Sequence, residues 1–376
     1  MVINNVKIVT DKKVIENGYI QIKDGKIIKV CKGTYTGNEL NVVDGTNKIA
    51  MPGFVDLHIH GSCGIDFMDA TSKDIVTIAN KLYSEGTTTF LATTLTSDHE
   101  SLKRVCKEVK DAMKIAPSVG GIHFEGPYIN AKYKGAQNEA FIRKPNISEL
   151  EELVNISDNN VRYITLAPEV EGSYEFIKRA RELGVSVSAG HSDATFNDIK
   201  KAIECGLTNT THTHNAMSGH HHRNPGIVTA AFYFDELFTE CICDGIHVCD
   251  NTVKTLYKIV GPDRFVIVTD ALLVKHSTKE TFKIFGLDGI VKDGAAYLTS
   301  GPLAGSILTM AQGVRNMAKW TNASLVDLAK ISSTNAAKSI NLLDRGIIAK
   351  GKLADIVLLD ENLNVTDVYK LGEKVI

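Results

Sequence analysis

The chain has 376 residues, enough for one large catalytic domain with a minor one beside it. Its 42 basic and 44 acidic residues leave a formal charge of −2, so there is no basic excess to hold a nucleic-acid backbone or an anionic membrane. Hydrophobic residues make up 43% and charged residues 23%, the balance of a globular enzyme. No apolar run approaches the ~18–20 residues of a membrane span. The N-terminus lacks the charged and apolar regions of a signal peptide. Seven cysteines, odd in number and without a CxxC pair, argue against a disulfide framework and for a reducing compartment. The expected location is cytoplasmic. Cys241, Cys243 and Cys249 cluster near one candidate strand and read as small core hydrophobes.

Residues 1–49 read as short strands, at 6–10, 18–22 and 26–30, with Asp24-Gly25 as a hairpin signal. From residue 50 the texture becomes strand, loop, helix, repeatedly. Candidate strands fall at 53–58, 88–94, 121–125, 161–166, 185–189, 209–212, 238–243 and 265–269. Helical patterns lie between most of them, at 72–85, 101–115, 174–183, 196–205 and 251–260. Eight strands with intervening helices predict a parallel (β/α)8 barrel of the TIM type. A doubly wound sheet is the alternative, because periodicity does not report closure. Helices at 306–320 and 325–339 follow, then strand texture at 351–360 and 365–370. The expected organisation is an α/β chain: a catalytic barrel at 50–340, and a small β-sandwich domain built from both chain ends, 1–49 plus 341–376.

Most of the 12 histidines fall at the ends of candidate strands, where a barrel enzyme keeps its active site. His58 and His60, two apart, face the same side of an extended strand. Two imidazoles on one side suit a divalent metal, although the pair alone also fits two surface histidines. Glu125 ends an apolar strand in His123-Phe-Glu125-Gly-Pro, where a carboxylate is costly unless paired or metal-bound. His123 reads equally as a ligand or as a hydrogen-bonded barrel histidine. His191, in Gly-His191-Ser, and His212, in Thr-His212-Thr-His214, are natural neutral imidazole ligands; His214 is left unassigned. Asp270 follows a wholly apolar run. Beside an activated water it would serve as general base, and otherwise as a helix N-cap.

The order His58-x-His60, His123-x-Glu125-Gly-Pro, Gly-His191-Ser, Thr-His212 with Asn215-Ala216-Met, Asp244-Gly-x-His247 and Thr-Asp270-Ala resembles the N-acetylglucosamine-6-phosphate deacetylase family of the amidohydrolase superfamily. The resemblance covers essentially the whole chain, including Gly-Lys-Leu-Ala-Asp-Ile-Val near its end. It implies hydrolysis of the acetamide of N-acetylglucosamine 6-phosphate to glucosamine 6-phosphate and acetate, in amino-sugar catabolism. Glu125, His191 and His212 would hold the catalytic metal, with Asp270 as acid/base. His58 and His60, with Glu125 and Asp270, would complete a second metal site. Some family members carry Gln-x-Asn in place of His-x-His and keep one metal; this chain retains both imidazoles, so one or two ions are expected. A related branch bridges its metals with a carboxylated lysine after strand four. None stands there in this chain, which favours Glu125 as the bridge. Zn, Fe, Mn, Co or Ni would suit the ligands.

The implied substrate contacts are Ala136, Gln137, Asn215, Ala216, Arg223, Asp244, His247, Leu303, Ala304 and Gly305. Arg223, the phosphate-binding arginine of the resemblance, reaches a neighbouring subunit's site, which implies a homodimer. Arginine suits a phosphate because its fork of donors is charge-assisted. Two departures stand out. Gln137 replaces a histidine that polarises the acetyl carbonyl in several members. The segment 272–277 replaces a Pro-Ala-Gly-containing loop. The run His220-His221-His222 reads as a polar loop. The alternatives are the same chemistry on N-acetylgalactosamine 6-phosphate, or an amidohydrolase acting on a cyclic amide; Arg223 and His247 argue against the latter.

Overall fold

The computed structural model describes residues 1–284 and 286–376. Its centre is an eight-stranded sheet of Phe54–Ile59, Thr87–Thr94, Val119–Glu125, Val161–Leu166, Ser186–Ala189, Asn209–Thr210, Phe238–Ile242 and Phe265–Val268, each parallel to the next. The sheet closes at the top of its first and last strands. Asp270 donates its N–H to the His58 carbonyl at 2.8 Å, and His60 donates to Ala271 at 2.9 Å. The structure is therefore a barrel and not the doubly wound alternative. Val55, Leu57, Leu91, Tyr163, Ile242, Val266 and Val268 fill its interior.

The surrounding helices follow from local sequence. Ser72–Leu82 begins at a Thr71–Asp74 capping box and buries Ile75, Ile78, Ala79 and Leu82, the i, i+3, i+4, i+7 stripe of an amphipathic helix. Burying each Ile or Leu contributes about 1.5–3 kcal/mol. Phe196–Cys205 repeats the device with Thr195 and Asp198 and stops at Gly206, whose φ of 111° is glycine territory. The segment expected as one helix at 325–339 is helical throughout but passes through a π turn at Lys330–Thr334.

Three pieces were not expected. Helices Ile147–Ile156 and Ile227–Tyr233 complete the outer ring. A four-stranded antiparallel sheet, Thr281–Ile284, Leu287–Lys292, Ala295–Leu298 and Leu303–Ser306, follows the last barrel strand. Its turn at Asp293-Gly294 has positive φ at both residues, the hairpin geometry that Asp-Gly favours. Its last strand returns to the barrel, where the Ser306 N–H bonds the Asp270 carbonyl at 2.8 Å. The expected helix at 306–320 therefore starts only at Met310.

Both chain ends share one mixed sheet. Ile356–Leu359 pairs antiparallel with Ile49–Pro52, which runs parallel to Val2–Val9. The sheet curls so that Lys26 bridges back to Leu353, enclosing Ile3, Ile8, Ile20, Ile22, Ile356 and Leu358. Its other face, with Met51, Val357 and Leu359, packs on Phe54, Phe265 and Met310 of the barrel and its helices. Among the described residues, no helix is long and apolar enough to cross a membrane.

Candidate active site

The C-terminal ends of five barrel strands bring His58, His60, Glu125, His191, His212 and Asp270 together. The Oε1 atom of Glu125 lies 3.0 Å from Nε2 of His191 and 3.0 Å from Nε2 of His212. These two nitrogens are 3.1 Å apart. On the other side, Nε2 of His58 and Nε2 of His60 are each 3.3 Å from Glu125, and 3.1 Å from one another. Asp270 Oδ1 sits 3.2 Å from His60 Nε2 and 3.5 Å from His58 Nε2. Two ligand triads result, His58–His60–Glu125 and Glu125–His191–His212, sharing the one carboxylate.

The backbone is strained where these groups sit. His191, His212 and Asp270 have φ of 48°, 31° and 49°, left-handed values that cost of order 1–3 kcal/mol for residues other than glycine. Hydrogen bonds hold them there: the Asp270 N–H to His58, the His212 N–H to Glu240 at 3.2 Å, and the His191 carbonyl accepting from Asn130. The strain turns the side chains inward at the strand ends.

The charges are mutually dependent. Burial pushes the Glu125 carboxyl up, but the surrounding imidazoles, His58 and His191 foremost, overcome it and hold it well below the usual carboxylate range. Burial likewise opposes ionisation of Asp270, and His58 and His60 outweigh it. His58 is driven well above the ordinary histidine value and His60 to about 9, because Glu125 and Asp270 outweigh their burial.

The donor set fits a divalent ion. Two pairs of imidazole nitrogens face each other at 3.1 Å, a crowding that a cation between them relieves. The far nitrogen of His191 faces the Tyr133 carbonyl at 2.8 Å, which fixes the proton on Nδ1 and leaves Nε2 a lone pair. Imidazoles and a carboxylate suit a first-row transition ion. His123, left open between two roles, has both nitrogens engaged, by the Leu57 carbonyl at 3.0 Å and the Thr165 hydroxyl at 2.8 Å. Burial and the neighbouring His58 hold its pKa well below the usual value. It is a neutral barrel histidine.

A cavity of about 330 Å³ opens above the cluster. Ala136, Gln137, Asn215, Ala216, His247, Leu303, Ala304 and Gly305 line it. Asp244 stands behind His247, with Oδ2 2.6 Å from Nδ1, so the other ring nitrogen is free for the cavity. Gln137 donates to Glu125 Oε2 at 2.5 Å and accepts from the Thr96 N–H at 2.7 Å. Arg223 stands apart, on an exposed loop beside a separate cleft with Asp193 and Thr195. The sequence reading missed Lys132, Tyr133 and Ile284 in the cavity wall. It also missed Glu240, whose one available signal was a charged residue inside an otherwise apolar strand.

The amidohydrolase family model matches residues 49–375. The chain belongs to the amidohydrolase family. It is 35% identical, over 99% of its own length and 97% of the relative's, to an N-acetylglucosamine-6-phosphate deacetylase of Lysinibacillus sphaericus. Among amidohydrolases of known structure, the N-acetylglucosamine-6-phosphate deacetylase of Thermotoga maritima superposes with a TM-score of 0.92 at 39% identity, covering 100% of this chain and 99% of the other. A mutant of the Mycobacterium smegmatis deacetylase, in complex with N-acetyl-D-glucosamine-6-phosphate, superposes at 0.94 and 28%, with 100% and 99% covered.

Proposed function

We propose that this amidohydrolase removes the acetyl group from N-acetylglucosamine 6-phosphate, yielding acetate and glucosamine 6-phosphate in amino-sugar catabolism. The observation that carries the reading is the pair of triads sharing Glu125, with Asp270 at 3.2 Å from His60, under a cavity lined by His247, Asn215 and the 303–305 segment. Deacetylases of that substrate, one of them solved in complex with it, match the chain from end to end.

Glu125, His191 and His212 hold one divalent ion in this reading, and His58 and His60 with Glu125 and Asp270 a second. The ion would be Zn, Fe, Mn, Co or Ni, which supply Lewis acidity that acidifies water and stabilises charge on a carbonyl oxygen. The rest falls to the chain. Asp270, ionised by its imidazole neighbours, takes the proton of the attacking water and delivers it to the departing amine. Gln137 steadies Glu125 and borders the acetyl pocket. His247, with burial opposed and overcome by Asp244, is held above the usual histidine value, and the ring nitrogen turned away from Asp244 is offered to the sugar phosphate. Ala136, Asn215, Ala216, Leu303, Ala304 and Gly305 shape the sugar site. Remote binding energy then positions the amide at the reacting centre.

Arg223 faces solvent in the single chain, which supports a homodimer in which it serves the neighbouring site. The segments 1–49 and 341–376 supply the minor domain and 50–340 the catalytic one, except that the strand Ile49–Pro52 carries the minor sheet three residues past that boundary. Seven free thiols fit a cytoplasmic location. The test is acetate release from the 6-phosphates of N-acetylglucosamine and N-acetylgalactosamine, with one metal-quantified preparation and a chelated control. Chelator-sensitive release favouring the glucosamine compound is expected. Release favouring its epimer would move the substrate, and no release from either would overturn the proposal.

A further inference from the structure

Glu240 is a charged residue in the seventh barrel strand, and it is completely buried. A carboxylate in that position is costly unless donors meet it. Two do: the Tyr163 hydroxyl donates to Oε1 at 2.6 Å, and the His212 N–H donates to Oε2 at 3.2 Å. Oε2 also lies 3.7 Å from Nδ1 of His58, a buried ring nitrogen with no hydrogen-bond partner among the described residues. The other nitrogen of that ring enters the cluster, 3.3 Å from Glu125 and 3.1 Å from His60.

An ion at the cluster would displace one proton from His58, and the tautomer of the neutral ring then decides what the ion receives. A proton on Nδ1 leaves a lone pair at Nε2, whereas a proton on Nε2 removes one ligand. The ring packs edge-on against His123, whose nitrogens are both engaged elsewhere. Among the described residues, Glu240 is the acid within 4.0 Å of Nδ1. In a dry interior an anion opposite a ring nitrogen favours N–H over a lone pair, because two electron-rich atoms repel.

We propose that Glu240 is a positioning residue that keeps the proton of His58 on Nδ1, aiming its Nε2 lone pair at the ion position shared with His60 and Glu125. The inference rests on the reading of the two triads as ligand sets. Outer carboxylates behind metal-bound histidines typically govern affinity by about 10–100-fold. Glu240 is not among the residues that line the cavity.

The test is a Zn(II) titration of metal-stripped protein against a chromogenic chelator, comparing the wild type with Glu240→Gln and His58→Asn. Either orientation of the glutamine amide removes the negative charge opposite Nδ1. The expected result is two ion positions in the wild type. The one lost in His58→Asn weakens by about 10–100-fold in Glu240→Gln, while the other, whose His212 N–H also bonds Glu240, weakens by a clearly smaller factor. Should Glu240→Gln fail to fold, judged by the thermal midpoint of the ion-free protein, Tyr163→Phe removes one anchor of Glu240. It should weaken the same position by a smaller factor. Equal weakening of both positions, unchanged affinity at both, or a single wild-type ion indifferent to His58→Asn would each overturn the inference. A wild type that binds no Zn(II) would instead overturn the ligand reading beneath it.

Discussion

Two pairings of acid with base stand out in this molecule. At the barrel mouth, the charged partners of Glu125 and Asp270 within 4.0 Å, among the described residues, are all imidazoles. Two buried acids elsewhere are paired with a lysine. Glu85, at the end of the first barrel helix, is buried 2.8 Å from Lys275, with His276 at 3.0 Å. In the minor sheet Asp355 is buried 2.8 Å from Lys370. A lysine ammonium has no lone pair, so its ion pair is complete in itself. An imidazole has a lone pair to share with a cation, so the mouth has capacity left over. On the proposed function the first arrangement is machinery, whereas the second is fastening.

The largest effect that would test this contrast is at Asp270. Asp270→Asn should lower turnover by about 10²–10⁴-fold, with KM little changed, measured as acetate release at saturating substrate. Unchanged turnover would remove Asp270 from the chemistry, and the structure leaves it no capping role, since the next helix starts at Met310 behind Thr309. The fastening should respond in stability. Lys275→Met leaves Glu85 buried with His276 and the Thr87 hydroxyl but without its ammonium partner, and should cost about 3–5 kcal/mol in urea unfolding at pH 7. The sign with pH follows from Glu85. Burial raises its carboxyl, but Lys275 and His276 outweigh it and hold it below its usual value. Its stabilisation is therefore present above the unfolded carboxylate pKa and lost as pH falls through the lower folded one. The gap between variant and wild type should narrow on acidification. The double variant Glu85→Gln, Lys275→Met should recover most of the loss, since no unpaired charge remains. No such apolar rescue is expected of activity at the mouth.

A smaller effect sharpens the substrate side. Arg223→Ala should raise KM by about 10–100-fold, the worth of one charge-assisted hydrogen bond, with little change in kcat. The rise should vanish for unphosphorylated N-acetylglucosamine. The smallest effect is expected at Leu40, which is fully exposed and belongs to neither arrangement: Leu40→Ser should shift stability by no more than about 0.5 kcal/mol.

Local signals carried much of this organisation. The alternation of apolar strands with amphipathic helices predicted the barrel, because burial on both faces makes its strands continuous apolar runs. Thr195 and Asp198 started a helix where the pattern placed one. The hairpins at 281–306 were missed because four-residue strands leave little periodicity, although Asp293-Gly294 marked the turn. Glu240 and Lys275 were passed over for another reason. A single charge in a strand or loop reads as solvated until its burial is known.

The sequence by itself determined which side chains stand at strand ends, through spacing and hydropathy that act within a few residues. It also carried the motif order that resembles the deacetylases. Closure of the sheet through Asp270 and Ala271, the left-handed turns at His191 and His212, and the 3.0 Å meeting of Glu125 with both rings were decided only in three dimensions. These depend on contacts between residues up to 213 positions apart, such as Thr269 with Asp56 beneath the cluster. No local pattern reports such contacts, because they exist only once the barrel has closed and water has left its mouth.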